Sequence, residues 1–390
     1  MSHLEEYDRR TAWKYEPIRG TFRTAESLVN KVGPDGRFVP FPGSTVVFRA
    51  DKTCLQVIGM MQELLYHDLR DSGMLAERLP VSTVHMTLHD LLSPEAGISG
   101  TAEEKAGKIW ESVLRAGEIV DSAARDLAGQ RIDMVPDRIV NMVSKSLVLL
   151  LRPHTEEDFE TLTEIYRRFD CIRPLPYPLT PHITLAYYTP GTLDGDRLGR
   201  TVDRLQPAPG NAPVFRFDPE SLTAQAFSDM RTYLDVPLRV CFCCDGGLMR
   251  SVMAANILNS LAAKRGLAIM GEVRSAHPSS RGWPVPDGVW KTLEDHGVVP
   301  NRACASARFI EENELSRFSL FAAISDGAAD RFSSLCVPED KVLPISRIFH
   351  GVRDPEYTQA TLEETFEDLY SRTEKALDLL EKDFVKIKGG

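Results

Sequence analysis

The sequence predicts a protein of two domains, each of which mixes β-strands with α-helices. The chain has 390 residues, and single hydrophobic cores usually stop growing below that length. Short runs rich in β-branched residues alternate with amphipathic helical segments up to a proline at position 237. An apolar strand, a glycine turn and a helix then follow in direct succession. We therefore place the domains at residues 1–236 and 237–390.

The elements follow from the spacing of apolar residues. Alternation and β-branching predict strands at residues 43–48, 83–88, 132–143, 146–152, 180–188, 213–218, 222–227 and 232–236. Apolar residues three and four positions apart predict helices at residues 54–71, 102–127, 156–169 and 196–205. In the second domain, residues 240–243 are predicted to form a buried strand, and a helix is predicted after Ser251.

Composition and charge restrict the class of protein. Apolar residues make up 43% and charged residues 26% of the chain, as in ordinary soluble globular proteins. A net charge of −10 argues against broad non-specific binding of nucleic acid but allows a local basic pocket for an RNA end. The sequence has neither a long apolar run nor a signal-peptide core, and its seven cysteines are typical of a reducing compartment. We expect a cytoplasmic protein without a membrane partner.

Two predicted strands carry the same pattern, His-apolar-Thr-Leu, at His85/Thr87 and His182/Thr184. Side chains in a strand repeat every two residues, so each histidine shares a face with its threonine, and His89 falls on the face of His85 by the same count. If the strands lie side by side, two imidazoles and two hydroxyls face one point. The hydroxyls would then donate to the non-bridging oxygens of a phosphodiester, while one imidazole activates water and the other protonates the leaving oxygen. The alternative is a pair of unrelated surface or core histidines.

These motifs resemble the two-histidine (2H) phosphoesterase superfamily, which includes 2′,3′-cyclic nucleotide phosphodiesterases and RNA-end cyclic phosphodiesterases. The family signature is two His-x-Thr/Ser motifs at roughly this separation, on paired strands of a bilobal α+β fold. The resemblance covers about residues 1–235. It implies that both histidines and both threonines are catalytic and that no metal or other cofactor is required. Which histidine is the acid and which the base stays open.

The second domain begins with a strand–loop–helix turn that is bracketed by Cys244 and Arg250. Such a turn directs backbone N–H groups towards an anion, here from Gly246, Gly247 and Ser251 at the start of the helix. These dipoles and Arg250 would stabilise a thiolate, and the guanidinium offers a planar fork for two phosphate oxygens. The combination suits a thiolate that attacks phosphorus and forms a phosphocysteine. A buried cysteine in an ordinary turn is the alternative.

This loop resembles that of the low-molecular-weight protein tyrosine phosphatases. Residues 271–277 match the second strand of that family, residues 293–298 match a helix ending in His-Gly-Val, and residues 318–326 match the next buried strand. In the family an Asp-Pro-aromatic loop carries the general acid, and the match assigns that role to Asp354. The resemblance implies a doubly wound α/β domain with a parallel sheet.

Some positions depart from the family pattern. Gly247 stands where the family usually has Asn, and Val252 where it usually has Pro. The aromatic residue of the acid loop falls one place late, at Tyr357, behind Glu356. These changes spare the thiolate, the arginine and the acid, but they alter the pocket, and a polar Glu356 at the place of the aromatic residue allows a substrate other than phosphotyrosine. Asp245 would oppose the thiolate if it pointed inward, so we expect it to point to solvent.

Together these patterns predict a bifunctional hydrolase. The first domain would open a 2′,3′-cyclic phosphate on an RNA end or a nucleotide, and the second would remove the resulting monoester, a sequence suited to RNA repair. Two alternatives stay open. One pairs a cyclic nucleotide or cyclic oligonucleotide diesterase with a protein phosphotyrosine phosphatase in signalling. The other is a phosphate-binding regulatory module whose phosphatase half is inactive.

Overall fold

The structure is a computed structural model that describes Glu5 and residues 18–96, 98–208, 212–302, 305–356 and 358–388. The chain divides into two compact units between Leu234 and Asp235. Within the part of the chain that the structure describes, no helix is both long and apolar enough to span a membrane.

The first unit is built around an antiparallel sheet. Its strands are β1 (Thr21–Arg23), β2 (Gly43–Arg49), β3 (His85–Leu92), β4 (Ile132–Met142), β5 (Ser146–Pro153), β6 (His182–Tyr187), β7 (Thr192–Asp194), β8 (Phe215–Phe217), β9 (Leu222–Phe227) and β10 (Tyr233–Val236). Eight of them form one sheet in the order β10-β9-β2-β3-β6-β5-β4-β8. β1 and β7 form a separate antiparallel ribbon. β3 and β6, which carry the two histidine motifs, are therefore neighbours near the middle of the large sheet.

The helices of this unit start where capping side chains satisfy their first backbone N–H groups. They are α1 (Lys52–Leu69), α2 (Ala102–Asp126), α3 (Glu156–Arg168) and α4 (Gly195–Leu205). Asp51 accepts from the backbone N–H of Cys54 at 2.7 Å, and Thr101 and Thr155 each form a reciprocal capping box. α2 packs against β2 and β9 and thereby buries one face of the sheet.

The second unit is an α/β domain with a parallel sheet. Its elements are β11 (Leu238–Cys244), α5 (Arg250–Lys264), β12 (Ile269–Ser275), α6 (Asp287–Asp295), β13 (Leu320–Ala323), α7 (Asp326–Ser334), α8 (Glu339–Phe349) and α9 (Gln359–Lys388). β11 lies between β12 and β13 and pairs with both in parallel. Because α5 connects β11 to β12, its N-terminus lies at the carboxyl edge of this sheet.

The alternating side chains of β11 pack on opposite faces of the sheet. Cys241 and Cys243 are fully buried in an apolar cluster with Phe318 and Phe321, whereas Phe242 packs edge-on against Phe349 at a ring distance of 5.3 Å. Burial raises the pKa of the Cys241 and Cys243 thiols, so both stay protonated and act as small apolar residues. The spacing of Cys241 and Cys243 therefore reflects the alternation of side chains in a packed strand.

Most predicted elements agree with the structure to within two residues at each end. The strand predicted at residues 83–88 is an exception, because it continues to Leu92. Its extension contains a register irregularity that changes which residues of the strand share a face.

Candidate active sites

The two histidine motifs of the first unit meet across one strand pair. β3 and β6 are antiparallel, with Thr87 directly opposite His182. The same register continued by two residues brings His85 towards Thr184. All four side chains line a single cavity of about 610 Å³. The strand pairing thus gathers residues that are far apart in sequence into two matching His–Thr pairs.

Each histidine is oriented by the backbone in the same way. His85 Nδ1 donates to the carbonyl oxygen of Thr83 at 2.8 Å, and His182 Nδ1 donates to that of Thr180 at 2.8 Å. A carbonyl only accepts, so Nδ1 carries a proton in both rings. Nε2 is then the nitrogen that accepts a proton when the ring is neutral and donates one when the ring is charged.

Aromatic hydroxyls and cationic side chains complete the cavity wall. The Tyr233 ring lies edge-on to His85 at 5.2 Å, and Tyr187 also lines the cavity. Burial raises the pKa of both tyrosines, so their hydroxyls stay protonated and act as donors. The cationic lining residues are Lys31, Lys145 and Arg173. Such a wall suits a ligand that combines an anionic group with a flat ring.

A network of charges borders the same cavity. Glu95 lies 3.2 Å from Lys31 Nζ and 2.6 Å from Lys145 Nζ. Burial opposes the carboxylate, but the two lysines lower the pKa of Glu95. Across the described residues, no group of three or more His, Cys, Asp and Glu side chains is arranged to hold a metal ion.

His89 does not share the face of His85, so this expectation from strand alternation is wrong. Val47 is paired with Thr87, but Val46 is paired with His89, so β3 has one extra residue between the two positions. Such a bulge reverses the alternation of faces. The His89 side chain is fully buried and packs against the rings of Tyr166 and Phe169 at 5.1 and 5.9 Å.

In the second unit, Cys244 ends the central strand β11 at the carboxyl edge of the sheet, and its side chain is buried. The backbone N–H of Gly247 donates to Cys244 Sγ at 3.3 Å, and Ser251 Oγ lies 3.2 Å from the same sulfur. Both groups can donate to a thiolate. Two of the predicted phosphate-binding residues therefore contact the predicted nucleophile, and Gly246 follows it by two positions.

Gly247 occupies a backbone conformation that explains its residue type. Its φ is +65°, a left-handed value that glycine adopts freely and asparagine tolerates. A Cβ at this position would also lie 2.9 Å from Ser275 Cβ and 3.1 Å from the carbonyl oxygen of Arg274. The family's usual Asn and this chain's Gly therefore meet the same φ requirement.

Arg250, the first residue of α5, is held by three partners. It is 5% exposed, and its Nη1 donates to the carbonyl oxygen of Val352 at 3.2 Å. Nη2 donates to Asp245 Oδ2 at 3.0 Å, and Nε lies 3.0 Å from Asp354 Oδ1. The predicted acid, Asp354, is therefore next to the predicted phosphate-binding arginine, and its side chain is 63% exposed. Glu356 is exposed two residues further on, and Tyr357 lies outside the described residues.

Asp245 points only partly to solvent, so that expectation is wrong in part. Its side chain is 37% exposed and accepts from both Arg250 Nη2 and Ser325 Oγ, each at 3.0 Å. The carboxylate is thus shared between the Arg250 guanidinium, the Ser325 hydroxyl and solvent. Pattern reasoning missed the pairing of Asp245 with Arg250, although the position of both residues in one loop was a signal for it.

A buried cysteine in a loop of backbone donors, with an arginine and an aspartate beside it, defines a cysteine-based phosphatase site. Residues 239–386 match the family model of the low molecular weight phosphotyrosine protein phosphatases. The second domain is thus of this phosphatase family, and the resemblance inferred for it is confirmed. The first domain is not identified in this way, so its two-histidine resemblance stays a prediction.

The comparison with curated proteins found no match. Similar solved structures include a low molecular weight protein tyrosine phosphatase from T. tengcongensis, with 22% identity over 36% of this chain and 98% of that chain and a TM-score of 0.33. YfkJ from Bacillus subtilis has 24% identity over 37% of this chain and 95% of its own, with a TM-score of 0.34. The YwlE arginine phosphatase from Geobacillus stearothermophilus has 18% identity over 38% of this chain and 97% of its own, with a TM-score of 0.33.

Proposed function

We propose that the chain is a bifunctional phosphoesterase that acts on RNA ends or nucleotides. The first domain opens a 2′,3′-cyclic phosphate to a monoester, and the second removes that monoester through a phosphocysteine. The observation that carries the proposal is the single cavity lined by His85, Thr87, His182 and Thr184, in the same chain as a cysteine-based phosphatase domain. The order is chemically consistent, because the first reaction makes the class of substrate that the second consumes.

In the first domain, a water oxygen attacks phosphorus and one of the two ring P–O bonds breaks. The neutral imidazole takes the proton of the water at Nε2, and the charged imidazole gives a proton from its Nε2 to the leaving oxygen. The hydroxyls of Thr87 and Thr184 donate to the non-bridging oxygens, where charge accumulates. The matching Nδ1 contacts of the two histidines favour neither as the acid, so both assignments stay open.

In the second domain, the Cys244 thiolate attacks the phosphorus of the monoester, and the bond to the leaving oxygen breaks. Asp354 supplies the proton for that oxygen, as the family resemblance implies, and Arg250 binds the transferring phosphoryl group. Water then attacks the phosphocysteine and gives a proton back to the Asp354 carboxylate, which releases inorganic phosphate and returns the thiolate. The Gly247 N–H and Ser251 Oγ contacts to Sγ stabilise the sulfur as a leaving group in this second step.

A phosphoprotein is the alternative substrate of the second domain. The match of residues 239–386 to phosphotyrosine protein phosphatases favours it. The first domain would then act separately on a cyclic nucleotide or cyclic oligonucleotide. Activity on a phosphotyrosine peptide, compared with activity on a phosphorylated RNA end, separates the two proposals.

The test uses a short RNA ending in a 2′,3′-cyclic phosphate, with products resolved by end group. We expect a free diol from the wild type, a stalled monophosphate from Cys244→Ser and intact substrate from His182→Ala. Matched controls are Cys171→Ser and His154→Ala, which alter an exposed cysteine and an exposed histidine. A wild type that stops at the monophosphate refutes sequential action. A cyclic phosphate that survives the wild type refutes RNA ends as the substrate.

A further inference from the structure

Asp245 stands at the point where the three strands of the second domain end. It directly follows Cys244, the last residue of β11, while His277 and Ser325 follow the ends of β12 and β13 by two residues. The Ser325 hydroxyl donates to Asp245 Oδ1 at 3.0 Å, and His277 Nε2 lies 3.7 Å from the same oxygen. The carboxylate therefore links the carboxyl ends of all three parallel strands.

The other carboxylate oxygen, Oδ2, accepts from Arg250 Nη2 at 3.0 Å. An arginine side chain has many rotamers, and a buried guanidinium contributes to phosphate binding only when its planar fork faces the phosphate. The carbonyl of Val352 holds Nη1, so Asp245 supplies a second fixed acceptor on the same plane. Two acceptors that bind two different nitrogens define the orientation of the guanidinium plane, whereas one acceptor alone does not.

We infer that Asp245 is a positioning residue for the phosphatase reaction, which holds the Arg250 guanidinium in the orientation that receives the phosphoryl group. This rests on the proposed role of Arg250 in the second domain. Asp354 is less suited to this role, because its side chain is 63% exposed whereas that of Asp245 is 37% exposed. Asp354 must also leave the guanidinium to protonate a leaving oxygen, whereas the proposed reaction requires no movement of Asp245 away from Ser325 and Arg250.

Helix α7 provides an independent way to move this carboxylate. Gly327 lies in the first turn of α7, and Asp245 Oδ1 occupies the space where a side chain at position 327 would begin. A Cβ at Gly327 would therefore overlap that oxygen. Gly327 has no left-handed φ, and alanine is the better helix former. Gly327→Ala therefore displaces the carboxylate without removing its charge and without a penalty to the helix.

The test measures kcat/KM for p-nitrophenyl phosphate and the inhibition constant of inorganic phosphate in the full-length protein, with melting temperatures recorded alongside. Asp245→Ala is expected to lower kcat/KM by about 10- to 100-fold, the usual effect of losing one hydrogen bond to a charged group, and to weaken phosphate inhibition. Asp245→Asn keeps an acceptor oxygen and should recover most of the loss. The kcat/KM of Gly327→Ala should fall between the values of Asp245→Ala and Asp245→Asn. Asp330→Ala removes an exposed carboxylate from the same helix and is the matched control.

Three results overturn the inference. In the first, Asp245→Ala keeps the wild-type kcat/KM and phosphate affinity. In the second, Asp245→Ala raises kcat/KM or the affinity for phosphate, which would make Asp245 a competitor of phosphate for Arg250. In the third, the Ala and Asn variants lose activity equally and melt earlier, which would make the role purely structural.

Failure of the phosphatase proposal gives a different pattern. If the wild type binds inorganic phosphate but turns over no monoester, catalysis is refuted, and calorimetric phosphate affinity of the same variants still decides the role of Asp245. If the wild type binds no phosphate, both proposals fall.

Discussion

Substitution of Gly247 by alanine tests the geometry of the phosphatase loop. An alanine at a φ of +65° costs about 1–2 kcal/mol, because its Cβ crowds the following carbonyl. The new Cβ would also lie 2.9 Å from Ser275 Cβ and 3.0 Å from the Ser275 backbone nitrogen. Both atoms belong to Ser275 in β12, so the clash is relieved only if the loop or the strand shifts. Overpacking of this kind costs about 1–3 kcal/mol. Gly247→Ala should therefore lower the free energy of unfolding of the second domain by about 2–5 kcal/mol.

The shift also moves the donor that contacts the proposed nucleophile, Cys244. The Gly247 N–H lies 3.3 Å from Cys244 Sγ, and a misplacement of about 1 Å at a reacting centre can cost about 100-fold in rate. Urea denaturation of the full-length protein measures the stability change. Turnover of p-nitrophenyl phosphate under saturating conditions measures the catalytic loss, which we expect at about 10- to 100-fold.

The neighbouring glycine provides the stability control. A Cβ at Gly246 would meet only Leu248, at 3.7 Å and beyond, which is ordinary van der Waals contact, and Gly246 has no left-handed φ. Gly246→Ala should change the free energy of unfolding by less than about 1 kcal/mol. Equal destabilisation by the two variants, or a Gly247→Ala protein as stable as the wild type, would refute the assignment of strain to Gly247.

Three further changes probe both domains. His89→Gln should reduce the acid sensitivity of the first domain, because burial lowers the pKa of His89. Below about pH 6.5 the unfolded chain binds a proton at this ring that the folded domain does not. The free energy of unfolding therefore decreases as the pH decreases. Melting temperatures at neutral pH and about pH 5 measure the difference. Glu314→Gln should lower the free energy of unfolding by about 3–5 kcal/mol in urea denaturation, because Arg274 is 2% exposed and makes its strongest contacts with that carboxylate. Thr184→Val should slow hydrolysis of a 2′,3′-cyclic nucleotide by about 100-fold without a change in melting temperature.

Each of these expectations has a contradicting outcome. An unchanged difference between the two melting temperatures in His89→Gln would show that other groups cause the acid sensitivity. A loss below about 1 kcal/mol in Glu314→Gln would mean that the guanidinium finds other acceptors or water. Full activity of Thr184→Val would remove its hydroxyl from the reaction.

The parts of the fold that were predictable depend on local patterns. The strand–loop–helix around Cys244 was predicted because an apolar run, two glycines and a helical pattern lie consecutively within about one βα unit. Helix starts such as Thr101 and Thr155 are likewise set by residues three positions apart. The predicted side-by-side placement of the two histidine strands rests on a repeated motif, and Thr87 is indeed opposite His182.

The errors at His89 and Asp245 have a common physical origin. The face of His89 depends on the number of residues that β2 and β3 place opposite each other, and one extra residue in β3 reverses it. The direction of Asp245 depends on Ser325, which is remote in sequence and reaches the loop only through the parallel pairing of β11 with β13. Periodicity within one segment contains neither piece of information.

The contacts of Asp245 also account for an acidic residue beside the proposed nucleophile. An isolated carboxylate next to Cys244 would disfavour the thiolate, but the Asp245 charge is directed into Arg250 and Ser325. The negative charge is thus partly neutralised by the guanidinium, and that guanidinium gains a fixed orientation in return. A residue that looks unfavourable for catalysis in the linear sequence thus lies, once the strand ends meet, where it orients the proposed phosphate-binding group, Arg250.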